Sequence, residues 1–471
     1  MNKDSNANTK TDLIEHLITE FEHISNGTAI PVFRTTEYIE LIKFFVLESN
    51  YDKALEVVEV ALEHLGNQNE LVIHKAQVLI LLKDSVSAYE TLKSLVPDVQ
   101  TEYDVMLMKA QCMIAENQFD MAFSLLKAPF RFGTIDEKLK AALLKVTIYE
   151  EMSDYQSMFN SIKFVLDRDP GNEQAMEKLW DFMDGQRSYR PGITYLEKLL
   201  NKDPYSFLAW FNLGQAYACL GEYDNALSAY EYSFIINPGF EAGYRECAEL
   251  AFELYKYKTA LKVYHEILDN FGPDCEVFAN IGICYLNLKQ YRQARLNLRK
   301  AMKLDPYNDE VFYHLGKCFM AESKWDIAQQ YFLKAIQLED SCENYYIGVA
   351  DACYKMNDIS KANYYFIKAT EIGTDEPAVW VDYAKFLYEI GEYQKANDVL
   401  EDADNYTYST ELCYARIAVL MALGNNVEAM ELLKEALTDD FYAHRTLFAF
   451  NNDLSNQQEI SSLIHYFQPE E

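Results

Sequence analysis

Alanine returns every 34 residues through most of this chain, and no other feature limits its possible folds so tightly. From Ala226 the step forward meets Ala260, Ala294, Ala328, Ala362 and Ala396 without a slip. Backward it meets Gly192 and Met158, and after a two-residue insertion the register resumes at Ala122, Ala88 and Ala54. A one-residue shortening near the other end puts the equivalent at Ala429. Twelve units result, ten with alanine at this position, and nine carry an aromatic residue three places earlier, among them Tyr51, Phe119, Tyr223 and Trp325. A fixed period of this length describes a small structural unit that stacks on copies of itself.

The stretch from Phe207 to Pro238 gives the unit its physical form. Trp210, Leu213, Gly214 and Tyr217 fall at i, i+3, i+4 and i+7, one stripe of an α-helix that Leu220-Gly221 brings to an end. Tyr223, Ala226, Leu227 and Tyr230 share the face of a second helix. Asn237-Pro238 stops it, because the residue before proline is biased out of the α region. The spacing therefore predicts a helical hairpin in which Gly214 and Ala226 let two backbones approach closely while aromatic side chains fill the space beside them.

The pattern Trp210-x-x-Leu213-Gly214-x-x-Tyr217, then Ala226, Tyr230 and Pro238, resembles the tetratricopeptide repeat. The match is close in the units beginning at 207, 275, 309 and 377 and degenerate in those beginning at 139 and 173. The resemblance implies an all-α, right-handed solenoid of about twelve hairpins, whose concave face holds peptides or partner proteins. Less specifically, the whole chain resembles acidic, soluble repeat proteins of the Bacteroidota. The expected organisation is a polar N-terminus and capping helix over 1–34, units 1–3 over 35–132, degenerate units 4 and 5 over 133–206, units 6–12 over 207–437, and capping helices with an acidic tail over 438–471.

Composition excludes several function classes. Lys+Arg of 42 against Asp+Glu of 74 gives a net charge of −32, which opposes binding to nucleic acid, where affinity comes from cations displacing counterions. Anionic membrane surfaces are disfavoured for the same reason. The start MNKDSNANTK holds no apolar signal segment, no run approaches the length of a membrane span, and the first cysteine is Cys112. A cytoplasmic location is expected. Cys112, Cys284 and Cys318 occupy one place in three different units, so the cysteines read as small, reduced core residues, and no CxxC pair exists.

The first helix is expected over 11–25, with Asp12 and Glu15 spaced as a capping box, and it either covers the open end of the stack or mediates a homodimer. The insertion at Pro129 to Gly133 is either a tolerated longer turn or a bend. The turn from Gly185 to Pro191 puts Arg187 and Arg190 around Tyr189, as a solvated turn or a contact for an acidic or aromatic partner.

No catalytic motif appears, and neither an enzyme nor a cofactor is expected. His314 and Cys318 stand one helical turn apart with no third partner for a metal or a dyad. Function is left to the concave face, to which the resemblance assigns the second, fifth, sixth, ninth, twelfth and thirteenth residues of each unit. In unit 5 these include Glu177, Asp181 and Asp184; in unit 7, Glu246, Glu249 and Glu253; each trio falls on one helical face. Unit 6 presents Phe211, Asn212 and Gln215, an aromatic surface with amides able to bond an extended peptide backbone. Such a groove suits a Lys/Arg-bearing segment of a protein partner, although on a −32 chain solvated carboxylates are the plainer reading. Chaperone-tail binding, which in this family uses a Lys/Asn/Arg clamp, is rejected: Arg245, Asn280 and His314 approach it, but Glu249 and Glu310 stand where its Asn and Lys belong.

Overall fold

A computed structural model describes residues 14–23, 33–95 and 101–468. The chain divides after Asn237 into two compact units, Met1–Asn237 and Pro238–Glu471. Both are all-α: no strand occurs among the described residues, and twelve helical hairpins follow one another at the period read from the alanines.

The hairpins owe their closeness to those alanines. Ala54, Ala88, Ala122, Ala226, Ala260, Ala294, Ala328, Ala362, Ala396 and Ala429 are all fully buried. Opposite them, glycine removes the last obstacle. A Cβ on Gly282 would lie 2.5 Å from Leu298 Cγ and 3.3 Å from the carbonyl of Ala294, and one on Gly214 would lie 2.6 Å from the Tyr230 ring. Three of the second helices end at a residue before proline, where helical geometry is lost: Asp203, Asn237 and Asp305 stand at ψ 88°, 91° and 101°.

The turn inside each hairpin is the same throughout. The residue four places before the second helix's alanine-minus-one position, beginning with Ser49 and Lys83, is left-handed in all twelve repeats, and it is glycine only at Gly221, Gly391 and Gly424. Ser49, Lys83, Asn117, Ser153, Arg187, Tyr255, Lys289, Ser323 and Asn357 take that conformation with a side chain attached, φ running from 47° to 64°. The amide after it bonds back five residues, as in Asn50 to Phe45 (2.8 Å), Glu222 to Tyr217 (2.9 Å) and Lys324 to Phe319 (2.9 Å).

In the first unit, Leu17 and Phe21 of helix 14–23 are buried in one cluster with Tyr38, Ile42 and Val57 of the first hairpin. Asp12 and the polar start lie outside the described residues. The insertion at Pro129–Gly133 falls inside this unit and is taken up by helix: Phe119–Phe132 runs through Pro129, Thr134 caps the next helix with a capping box to Glu137, and Ile135–Glu151 extends to 17 residues. In the second unit, Leu447, Phe450, Leu454 and Ile460 of the C-terminal helical segments join the cluster that holds Leu433 and Ala436 of the last hairpin. Tyr388 meets Phe450 edge-on at 5.6 Å.

Candidate partner-binding surface

The predicted surface residues fall in both units. In the first, helix Glu173–Gly185, capped by Asn172, carries Glu177, Asp181 and Asp184, all exposed. Only Glu177 stands as a plain solvated carboxylate. Lys178 bridges Asp181 at 3.3 Å and Glu150 at 2.9 Å, and Asp184 accepts a 2.7 Å hydrogen bond from the Tyr189 hydroxyl. This trio is therefore a less open acidic patch than its letters imply. Arg190 of the neighbouring turn pairs with Glu222 at 2.8 Å, so that arginine serves the joint between repeats 5 and 6, and Arg187 occupies the left-handed turn position.

Repeat 6 corrects the expectation of an amide floor. Asn212 is buried, and its amide nitrogen donates to the Met176 carbonyl at 2.8 Å, so it ties one repeat to the one before instead of facing a ligand. Gln215 is half-buried with a side-chain oxygen that has no hydrogen-bond partner among the described residues. Phe211 is half-buried, its ring 5.7 Å from that of Tyr230.

In the second unit the helix Glu241–Glu253 brings Arg245 and the three glutamates together. Arg245 lies 2.7 Å from Glu241, 2.9 Å from Asp274 and 3.9 Å from Glu276. With three carboxylates around it, it has little charge left for a partner. Glu246, Glu249 and Glu253 are exposed, yet protein around them penalises their charged forms. Loss of hydration, then the Glu253 charge, raises the Glu246 carboxyl. Loss of hydration, then Glu246 and Glu276, raises Glu249, against the pull of Arg245. Asn280, on the next repeat's first helix Cys275–Asn287, approaches the buried Tyr264 hydroxyl without completing a hydrogen bond to it. The result is a set of crowded, partly dehydrated carboxylates beside one saturated arginine.

Two groups that sequence reading passed over sit further along this unit. Asp351 is pushed up to about 6, first by loss of hydration and then by the charge of Asp382, which is itself raised by desolvation. Both occupy groove positions, the ninth of repeat 10 and the sixth of repeat 11. Extending the positional rule past repeat 7 would have found them.

The His314–Cys318 pair carries no chemistry. Burial pulls His314 down to about 4, with Lys317 adding to the effect, and its Nδ1 has no partner among the described residues. Cys318 is fully buried, and desolvation raises its thiol to about 11, far from the thiolate a nucleophile needs. No cluster of metal-ligating side chains occurs among the described residues, and no described helix is long and apolar enough to cross a membrane.

Family models for the tetratricopeptide repeat match residues 207–240 and 276–308, and the hairpin geometry, the buried alanine and the left-handed turn carry the same unit to the other repeats. The chain carries tetratricopeptide repeats. Among curated relatives, the BBSome complex member BBS4 of Mus musculus is 28% identical over 19% of this chain and 17% of its own. The tetratricopeptide repeat protein 21 homolog of Caenorhabditis briggsae is 24% identical over 52% of this chain and 21% of its own. These matches thus span about a fifth of each relative's length. A solved tetratricopeptide repeat protein from Parabacteroides merdae is 16% identical, with 52% of this chain and 98% of that one aligned at a TM-score of 0.35.

Proposed function

We propose that this tetratricopeptide-repeat protein is a scaffold that holds a basic segment of a partner protein on repeats 7 and 8. The observation that carries the reading is the crowding of Glu246, Glu249 and Glu253 with Glu276: repulsion and dehydration raise Glu246 and Glu249, and a lysine or arginine placed among them relieves both. Solvated carboxylates spread over an acidic surface have no such reason to bind. The capping helices spend Leu17, Phe21, Leu447 and Phe450 inside their own units, which favours the scaffold over a homodimer built on those faces. A cytoplasmic setting accords with nine cysteines that are all free, and a place among acidic repeat proteins of the Bacteroidota belongs to the same proposal.

Affinity capture from native lysate, comparing wild type with the triple variant Glu246→Lys, Glu249→Lys, Glu253→Lys, tests the proposal. A partner lost in the variant, and released from wild type by salt, supports it. The same partners on both proteins would contradict it.

A further inference from the structure

One stretch of this chain runs against its charge. From Val277 to Leu304 there is no Asp or Glu, the longest such interval in a sequence of net charge −32, and it holds Lys289, Arg292, Arg295, Arg299, Lys300 and Lys303. All but Lys289 lie on the second helix of repeat 8, Tyr291–Leu304. That helix packs on the first helices of repeats 8 and 9, burying Ala294, Leu298 and Ala301. Its other side, with Arg292, Gln293, Leu296, Arg299, Lys300 and Lys303, is exposed.

Arg292, Arg295, Arg299 and Lys303 fall at i, i+3, i+7 and i+11, one stripe of the helix, with Leu296 beside them at 59% exposure. A shallow depression of ≈ 450 Å³ opens among Arg292, Gln293, Arg295, Leu296 and Arg299. Glu322 pairs with Arg295 and, at 2.7 Å, with Lys324, and the Lys300 ammonium lies 4.9 Å from the centre of the Phe278 ring. Arg292, Arg299 and Lys303 have no ion pair among the described residues. Like charges one turn apart oppose helix formation, so this row costs stability that a matching row of carboxylates returns. The stripe runs about 16 Å along the helix axis, too far for one phosphate or one carboxylate to gather its members. An extended chain needs main-chain partners, and the depression offers it the single amide of Gln293. A helix has satisfied its own backbone and repeats its side chains with the same pitch, so its glutamates meet these cations one turn after another.

We propose that the exposed face of helix Tyr291–Leu304 docks an acidic amphipathic helix of a partner protein, its carboxylates paired with Arg292, Arg299 and Lys303 and an apolar side chain covering Leu296. This surface is built from a second helix, takes a partner of opposite charge to the basic segment proposed above, and stands independently of it.

The test is fluorescence anisotropy at physiological salt with a labelled helical peptide of about 18 residues, carrying glutamates at i, i+3, i+7 and i+11 with leucine beside them. A second peptide of the same composition spreads its glutamates around the whole helix. The full-length chain binds the striped peptide, and the spread one about fivefold more weakly. Arg292→Gln, Arg299→Gln, Lys303→Gln together lower affinity at least about tenfold with an unchanged melting curve, since all three side chains are exposed. Leu296→Ser lowers it about threefold. A charge-matched control, Lys127→Gln, Lys198→Gln, Lys434→Gln, keeps wild-type affinity, as does the triple lysine variant of repeat 7, so the two proposals fail or hold separately. Four results overturn the inference: no binding of the striped peptide, equal affinity for the spread one, an equal loss in the charge-matched control, or a wild-type oligomer dissolved by the Arg292/Arg299/Lys303 variant, which would make the occupant a second copy of this chain.

Discussion

Glycine and alanine set the spacing of every hairpin crossing, so single residues there have outsized effects. With a Cβ at Gly282 already 2.5 Å from Leu298, Gly282→Leu overpacks the crossing and costs roughly 1–3 kcal/mol, seen as a lowered midpoint in urea; an unchanged midpoint would mean that the crossing has slack. The left-handed turn offers the opposite change. Lys289 is exposed at φ 60°, and Lys289→Gly stabilises by about 1 kcal/mol, while a loss would show that the lysine side chain makes a compensating contact. Two half-buried groups of the second unit respond to pH in opposite senses. His314 is held at about 4, below its ordinary range, so its contribution is full above about 6.5 and is lost as pH falls toward 4. Asp351, raised to about 6, contributes below its ordinary carboxylate range and loses that contribution as pH rises through 6. Asp382, Lys355, Glu389 and Lys385 share the field of Asp351, and Lys317 that of His314. Asp351→Asn should therefore gain stability over wild type most above pH 6, and His314→Leu most below pH 5, on the order of 2 kcal/mol each. Thermal melts from pH 4.5 to 7.5 check both, and parallel curves would refute the assignment.

At the scale of the element, the hairpins were legible in the letters because one buried alanine and a proline stop recur in register. Their turns were less so: the left-handed position reads as a turn at Gly221, yet lysine, serine, asparagine, arginine and tyrosine occupy it elsewhere, and the tertiary pairing of the two helices imposes it. The insertion at Pro129 looked like a longer turn or a bend, and the added residues went into helix Ile135–Glu151, since a capping box at Thr134 can start a helix earlier than the period implies. The candidate surface was read less fully. Position alone put Asn212 on the groove, but an amide at a repeat joint gains more from the Met176 carbonyl than from water. The crowding that sets Glu246 and Glu249 apart from a solvated glutamate arises only once helices are packed.

On the scale of the whole molecule, a net charge of −32 makes electrostatics a weak witness by itself, because any cation is attracted somewhere on such a surface. The proposed site differs from that background in kind: its carboxylates on repeats 7 and 8 are crowded and partly dehydrated. The most direct measurement is a titration of a labelled lysine-rich peptide into wild type and into Glu246→Lys, Glu249→Lys, Glu253→Lys, at low and at physiological salt. The site on repeats 7 and 8 predicts loss of at least about tenfold in affinity in the variant at physiological salt, where distant surface charges are screened. An equal, salt-abolished affinity for both proteins would mean that the peptide reads only the net charge, and would contradict the site.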